Sequence, residues 1–453
     1  MHPELLSYIF ILAQEQQEFD IAETLAETMA ETGESEASEF DHPTPLPLVV
    51  SQVSRRWRTI ALDTANLWTK LDFSDGPPYH YSKILLERSK AAPLNIALSM
   101  NAADNQAGID AVMDLIVPQH SSRVTTLSID AISLNQIDWI LSRFITGSDE
   151  LPPIVDLSLS EENETGEPVQ ISVRPEHVPR LATLTTGIQR LSLSGVQLPW
   201  HSSAFNNLTH FRFEKNPGDV RGSRPSEQQF INFLNASPQL RYLAIHETGI
   251  VMDDPEHPEH CLRHPFIEMA ELQTLEFQEV SWHEITFVLH TIRAPTLCEL
   301  SICSPENRED HDGNILDNDI DATDEAMFSA IFKFLATLVV PGKDAKNDVC
   351  SPLTVLTLET IMGGELGSER LTSILSLVPQ LQRLSLSDIV FDDTVLRQMQ
   401  GAWGLLHVEQ ERGNLCPELM WLRISGVGNI TQEAIYDRKQ FACACAPLFE
   451  FTT

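Results

Sequence analysis

Three stretches of the sequence gather residue types able to hold a metal or carry a proton. His257, His260, Cys261 and His264 fall within eight residues, and imidazole and thiol are good ligands for zinc or copper. Pro255 and Pro258 interrupt this stretch and no second ligand pair follows, so it reads as a titrating surface loop. Asp317, Asp319 and Asp321 match the first, third and fifth positions of a calcium loop. Ala322, however, stands where the turn needs glycine, and Phe328 where a bidentate glutamate is needed. Residues 306 to 325 therefore read as an acidic insertion. Cys443-Ala444-Cys445 has a single residue between its thiols and lacks a second pair. Gly363-Gly364 and Gly426-Val427-Gly428 lack the Lys-Ser/Thr of a phosphate loop and read as turns. The expectation is a chain with no catalytic residue, no metal and no cofactor.

Composition narrows the partners. The 65 acids against 30 bases give a net charge of −35, which disfavours nucleic acid and anionic membrane surfaces, since both select basic faces. Seven cysteines form an odd set without framework spacing, as suits a reducing compartment. No basic residue precedes Arg55, so no signal peptide is readable, and no apolar run is long enough to cross a bilayer. A soluble, intracellular protein of the cytoplasm, the nucleus or both is expected. A chain of 453 residues exceeds one ordinary core.

The elements that would position any site announce themselves by period. From Trp68 onward, units of the form apolar-x-x-apolar-x-apolar recur. Ten are clear, from Val124-Leu127-Ile129 through Ile154-Leu157-Leu159, Ile188-Leu191-Leu193 and Leu208-Phe211-Phe213 to Leu419-Leu422-Ile424. Trp68 to Phe73 and Pro93 to Leu98 look like weaker opening units. Most gaps leave room for one helix, and helical spacing is plain at Ile137, Ile140, Leu141 and Phe144, and again at Ile285, Val288, Leu289 and Ile292. Pro238, Pro295, Pro379 and Pro417 stand just before their strands, where proline ends a helix and starts an extended segment.

Strand, turn and helix repeated in this way resemble leucine-rich repeats, in which each unit leaves a hydrophobic edge that only a neighbour covers. The family places asparagine at the ninth position of the unit. Here that position is mostly aliphatic, as at Ile132, Val196, Val280, Ile361, Ile389 and Val427, with only Asn216 matching. An irregular arc is expected instead of a smooth horseshoe.

The N-terminal seventy residues follow another rule. Val49, Val50, Val53 and Trp57 fall at helical spacing and form one apolar stripe, preceded by Pro3-Glu4-Leu5-Leu6-Ser7-Tyr8-Ile9-Phe10 and followed by Ile60-Ala61-Leu62 through Leu67-Trp68. Three short helices cannot enclose a core alone, so apolar surface should remain for a partner. Pro3-Glu4-Leu5-Leu6 with Val53-Ser54-Arg55-Arg56-Trp57-Arg58 resembles an F-box, and Ala61-Leu62-Asp63-Thr64-Ala65-Asn66-Leu67-Trp68 is similar to F-box proteins of basidiomycete fungi. The chain has His2-Pro3 where the motif opens Leu-Pro. It also carries an insertion over residues 14–47, whose ten acids and scarce large apolar residues read as a solvated loop.

The fold expected is α/β: a small all-helical F-box over residues 1–70, then an irregular leucine-rich-repeat solenoid over 71–453, a curved parallel sheet with outer helices and an acidic insertion at about 304–326. The resemblance implies a substrate receptor of a Skp–cullin–F-box ubiquitin ligase, with the F-box on a Skp-type adaptor, through it a cullin, and a protein target on the repeats. Leu5, Leu6, Ile9, Phe10, Val49, Val50, Val53 and Trp57 then serve the adaptor surface and the packing of the module together. Because side chains alternate along a strand, the third, fifth and seventh positions face outward. They hold Arg190, Ser192, Arg212, Tyr242, His246, Arg383, Ser385, Trp421 and Arg423. Arg212, Arg383 and Arg423, with Tyr242 and Trp421, could form one anion-selective concave surface for an acidic or phosphorylated target; the same residues also suit ordinary solvated strand positions. The competing reading is a leucine-rich-repeat scaffold not coupled to ubiquitination.

Overall fold

The opening helix of the computed structural model is longer than its apolar content requires. Helix α1 spans Pro3–Thr32, 30 residues. It therefore runs through the first part of the acidic insertion, where the sequence suggested a loop. Pro3 starts it at a position where the missing N–H costs nothing. Ala, Glu, Gln and Leu, all good helix formers, dominate from residue 14 onward. Charge density alone does not prevent a helix whose residues are intrinsically willing. Described are residues 2–32, 45–73, 76–99, 106–131, 134–147, 151–161, 187–196, 200, 205–214, 224–252, 266–303, 320–338, 340–341, 349–350, 352–359, 368–389, 391–399, 415–426 and 449–452. Among them no helix is long and apolar enough to cross a membrane.

Two compact units divide the chain, one formed by Met1–Glu162 and Ser172–Gly187, the other by Asn163–Ile171 and Ile188–Thr453. In the first, α2 (Leu46–Val53) and α3 (Arg55–Asp63) pack with α1, and a short 3-10 turn (Ala65–Trp68) follows. Strands β1 (Lys70–Leu71), β2 (Leu94–Ser99), β3 (Val124–Ala131) and β4 (Asp156–Glu161) then pair in parallel in that order. Helices α4 (His80–Arg88), α5 (Gln106–His120) and α6 (Leu134–Thr146) connect them.

In the second unit, nine strands pair in parallel in chain order: β5 (Arg190–Ser194), β6 (His210–Glu214), β7 (Tyr242–His246), β9 (Thr274–Gln278), β11 (Glu299–Cys303), β14 (Val355–Glu359), β15 (Arg383–Ser387), β16 (Trp421–Ser425) and β17 (Phe449–Thr452). Helices α7 (Glu227–Ala236), α8 (Trp282–Thr291), α9 (Ile320–Leu338), α10 (Ser368–Ser376) and α11 (Asp393–Met399) lie between them in sequence. Two minor pairs, β8 (Ile267–Glu268) with β10 (Ile292–Arg293) and β12 (Val340–Pro341) with β13 (Val349–Cys350), were not legible in the pattern. All ten repeat strands read from the sequence are present, and the fold is α/β and solenoid-like. Helix α9 begins at Ile320, so the last part of the acidic insertion is helical too.

Register explains the regularity. The fourth-position residues Leu191, Phe211, Leu243, Leu275, Leu300, Leu356, Leu384 and Leu422 stand directly opposite one another along the sheet. The sixth-position residues do the same, and both rows are almost wholly buried. Each such leucine contributes about 1.5–3 kcal/mol by leaving water. The helices and the segments joining them cover this side: Phe233 of α7 lies 4.9 Å from Phe211 between ring centroids, and Trp200, before β6, stacks on Phe205 at 4.6 Å.

The turns replace the missing asparagine ladder with a different device. The eighth residue of five units is left-handed: Gly195, Glu247, Glu279, Asp388 and Gly426, with φ between 49 and 68°. This reversal sends Val196, Val280 and Ile389, at the ninth position, back into the core. It also aims the eighth N–H at the next strand: Gly195 donates to Glu214, Glu247 to Gln278, Glu279 to Cys303 and Asp388 to Ser425, at 2.7–3.0 Å. Upstream, Pro238, Pro295, Pro379 and Pro417 take the second place of a tight turn. Its closing bond runs from Leu240 to Ser237 in the first case and from Leu419 to Cys416 in the last, at the position where fixed φ suits proline best.

Gly426 is the turn that tolerates least. At φ +63° it sits against Asp388, whose Oδ1 would lie 1.7 Å from an added Cβ. Gly426→Ala is expected to cost about 1–2 kcal/mol from the backbone alone, and more from displacing that carboxylate. In an Asp388→Ala background the second contribution should disappear, and chemical denaturation of the single and double variants measures the difference.

Candidate functional site

Two surfaces carry the candidate residues, and each belongs to one unit. In the helical module, Ser54 breaks the helix that a single stripe from Val49 to Trp57 would imply. Its backbone is extended and its side chain accepts from the Trp57 N–H at 3.1 Å, a serine N-cap. Trp57 therefore belongs to α3 and turns inward, half-buried, with its ring 5.0 Å from that of Phe10. Leu6, Phe10 and Val50 are buried, as are Ile60 and Ala61 of α3. The Trp68 indole N–H donates to the Ala61 carbonyl at 2.8 Å, and the Thr64 hydroxyl to that of Ser7 at 2.9 Å. The Arg88 guanidinium lies over the Trp68 ring at 4.5 Å.

The other four expected residues face water. Leu5, Ile9, Val49 and Val53 are between 43 and 58% exposed. Leu5 and Ile9 are one helical turn apart, as are Val49 and Val53, so each pair shares a face of its helix. Tyr8 and Leu12 extend the α1 face and are equally open. The sequence reading omitted both, although their spacing of three and seven residues from Leu5 is the signal that finds them. The eight residues thus divide into an internal set and a solvent-facing set.

On the repeat sheet of the second unit, the outward rows are not the uniform basic surface suggested by the arginines. The row of third positions reads Arg190, His210, Tyr242, Thr274, Glu299, Val355, Arg383 and Trp421 in adjacent register. The row of fifth positions reads Ser192, Arg212, Ala244, Glu276, Ser301, Thr357, Ser385 and Arg423. Five strand spacings of about 4.8 Å separate β6 from β15. Arg212 is therefore remote from Arg383 and Arg423, and carboxylates stand between them. One anion-selective surface uniting these arginines is not what the register builds. The third, fifth and seventh rule that finds the arginines also finds Glu276, Glu299 and Glu359.

Around Glu276 the face is a connected network. Tyr242 donates to Glu276 Oε2 at 2.7 Å, and His246 Nε2 lies 3.6 Å from the same oxygen. Arg212 Nη2 reaches His246 Nδ1 at 3.5 Å while its Nε donates to Glu214 at 2.9 Å. A guanidinium has no lone pair to offer, so His246 Nδ1 accepts and Nε2 carries the proton toward Glu276. His246 is buried and acts as the hub of this network instead of an open contact. Burial pushes the Glu276 carboxyl up, but hydrogen bonds from His246 and Tyr242 and the charge of Arg212 outweigh it, so its pKa is lowered. Burial, then the bond to Glu276, raises the Tyr242 phenol well above its ordinary range. Glu299 is raised, first by burial and then by repulsion from Glu276. The Cys303 thiol, half-buried and close to Glu359, is pushed up to about 12, first by burial and then by the Glu359 charge. Ser385 is buried, while Arg190, Arg383 and Arg423 are exposed and Trp421 is half-buried.

The histidine cluster at 257–264, Asp317, Asp319, Gly363-Gly364 and Cys443-Ala444-Cys445 lie outside the described residues. Among the described residues, no group of three or more His, Cys, Asp or Glu is gathered as a metal would require.

No family model matches the chain, and no curated protein matches it. Among solved structures it is similar to a protein of Bacteroides fragilis at 11% identity and a TM-score of 0.38, over 78% of this chain and 84% of that one. It is also similar to a chain in the yeast Rad7 and Elc1 complex, at 14% identity and a TM-score of 0.43, over 75% of this chain and 71% of that one.

The two central carboxylates should respond to pH in opposite senses. Glu276 has a folded pKa below its ordinary 4.5, so its contribution to stability is present above that value and is lost as pH falls through the folded pKa. Glu299 has a folded pKa above 4.5, so its charge costs stability at neutral pH and nothing in acid below 4.5. Glu276→Gln is expected to lower the Tm at pH 7 and Glu299→Gln to raise it, the Glu299 difference fading as pH falls to 4.5 and the Glu276 difference only below 4.5. Thermal melts across that range measure the effect.

Proposed function

We propose that this protein is the substrate-recognition subunit of a Skp–cullin–F-box ubiquitin ligase. The N-terminal helical module docks on a Skp-type adaptor, and the repeat sheet holds a protein target. The observation that carries this reading is the solvent-facing apolar set Leu5, Tyr8, Ile9, Leu12, Val49 and Val53, borne by helices whose opposite faces are already packed. Apolar side chains concentrated on so small a module favour a protein partner over water. Leu6, Phe10, Val50 and Trp57 then act indirectly, by fixing the helices that present this surface. In this role the chain makes and breaks no bond; it raises the local concentration of target near the ubiquitin-carrying enzyme. The target would lie on the polar strand face, with Arg190, Arg212, Tyr242, Arg383, Trp421 and Arg423 among its contacts and His246 buried beneath.

A second reading is a repeat scaffold not coupled to ubiquitination, favoured by the unbroken continuation of α1 to Thr32. Adaptor binding separates the two. Ile9→Asp with Val53→Asp places two charges on the exposed set and is expected to weaken adaptor binding by about 4 kcal/mol, roughly a thousandfold. Both sites are exposed, so the Tm should scarcely move. Trp57→Ala should instead lower the Tm through loss of the contact with Phe10, an aromatic pair of about 1 kcal/mol. Co-purification with a Skp-type adaptor is the assay, and undiminished recovery of adaptor by the double variant would sink the ligase reading.

A further inference from the structure

We propose that the polar strand face in the second unit takes an extended segment of a partner protein laid across the strands, with a Lys or Arg over Glu299 and an Asp or Glu, about three residues away, over Arg383. This rests on the reading of that face as the target surface and names the chemistry of its ligand.

Strand register supplies the argument. Along the row of third positions, Glu299 on β11 is followed by Val355 on β14, Arg383 on β15 and Trp421 on β16. One row over, Glu276 on β9, Thr357 on β14 and Arg423 on β16 continue the same order. From β9 onward these two rows therefore pass from carboxylates at β9 and β11, across the uncharged Val355 and Thr357 of β14, to guanidinium groups at β15 and β16. Two spacings of about 4.8 Å separate Glu299 from Arg383, and an extended chain advances about 3.3 Å per residue, which gives about three residues between complementary charges.

Glu299 and Arg383 are the two charges best placed to meet a ligand. Neither takes part in the ion pairs formed among the described residues. The nearest hydrogen bond to Glu299 is a long one from the Thr274 hydroxyl, at 3.5 Å. Glu299 is half-buried beside Glu276, and burial with repulsion from Glu276 outweighs the bond from Thr274 and the attraction of Arg383, so an incoming cation relieves an existing cost. Arg383 is exposed, and Trp421 stands directly opposite it, offering an apolar ring beside the seat for an acid. Arg423 lies one strand further from the carboxylates, which makes Arg383 the nearer cation. A uniformly acidic or phosphorylated segment, suggested by the arginines alone, would run onto Glu276 and Glu299 and be repelled.

Short random peptides displayed on phage and panned on the purified full chain test this. Peptides pairing a basic and an acidic residue at that spacing should be enriched about tenfold over the unselected pool. Panning on Arg383→Glu should exchange the acid for a second base, a change of preference that loss of structure would not produce. Panning on Glu299→Gln should abolish selection for the base. Adaptor co-purification on the same variants should match the parent chain, and thermal melts should show both folded, with Glu299→Gln shifted upward at pH 7, so failure of this inference and failure of the adaptor reading are told apart. Enrichment of acidic residues alone, absence of any charge spacing, or an unchanged profile on Arg383→Glu would overturn it.

Discussion

The structure rests on the shared register of its parallel strands. A strand of five residues has two core-facing side chains, and neither is covered unless the neighbouring strand presents its own at the same height. A one-residue slip would turn the buried pair of any repeat outward. The fourth and sixth positions therefore line up through the second unit, and everything between the strands adapts to that requirement. Helices differ in length from the 7 residues of α11 to the 19 of α9, while the strands do not slip.

The turns show how such a ladder can do without its usual polar spine. A left-handed eighth residue supplies a backbone N–H to the following repeat and returns an aliphatic ninth residue to the core. Only two of the five left-handed residues are glycine; the others are Glu247, Glu279 and Asp388. A non-glycine residue in this region costs of order 1–3 kcal/mol, which the surrounding packing has to offset. The seam is consequently apolar, and its hydrogen bonds come from the main chain.

The same register that buries the leucines fixes the neighbours of every polar side chain on the other face. Glu276 stands across from Ala244 and Ser301, a setting that admits Tyr242 and His246 from the adjacent strand. Glu299 stands across from Thr274 and Val355, and obtains only a long bond. Two carboxylates on adjacent strands thus titrate in opposite directions because of their neighbours, although their burial is similar in kind. The sign change along the face follows from strand order and needs no special fold.

Periodicity along the chain already contains all ten repeat strands, the helices at residues 134–146 and 282–291, and the identity of the outward positions. Period is a local property, and burial of one face enforces it. The sequence also determined that the N-terminal helices would keep apolar surface exposed. Only the tertiary structure decided which of their residues did so, since Leu5 and Leu6 are alike in type and differ only in the side of α1 on which packing falls. The break at Ser54 and the helical run to Thr32 depended on capping and on intrinsic helix preference, which charge and hydrophobic pattern do not register. The division of the arginines by Glu276 and Glu299 was likewise invisible along the chain, because residues tens of positions apart became neighbours only when the strands came into register.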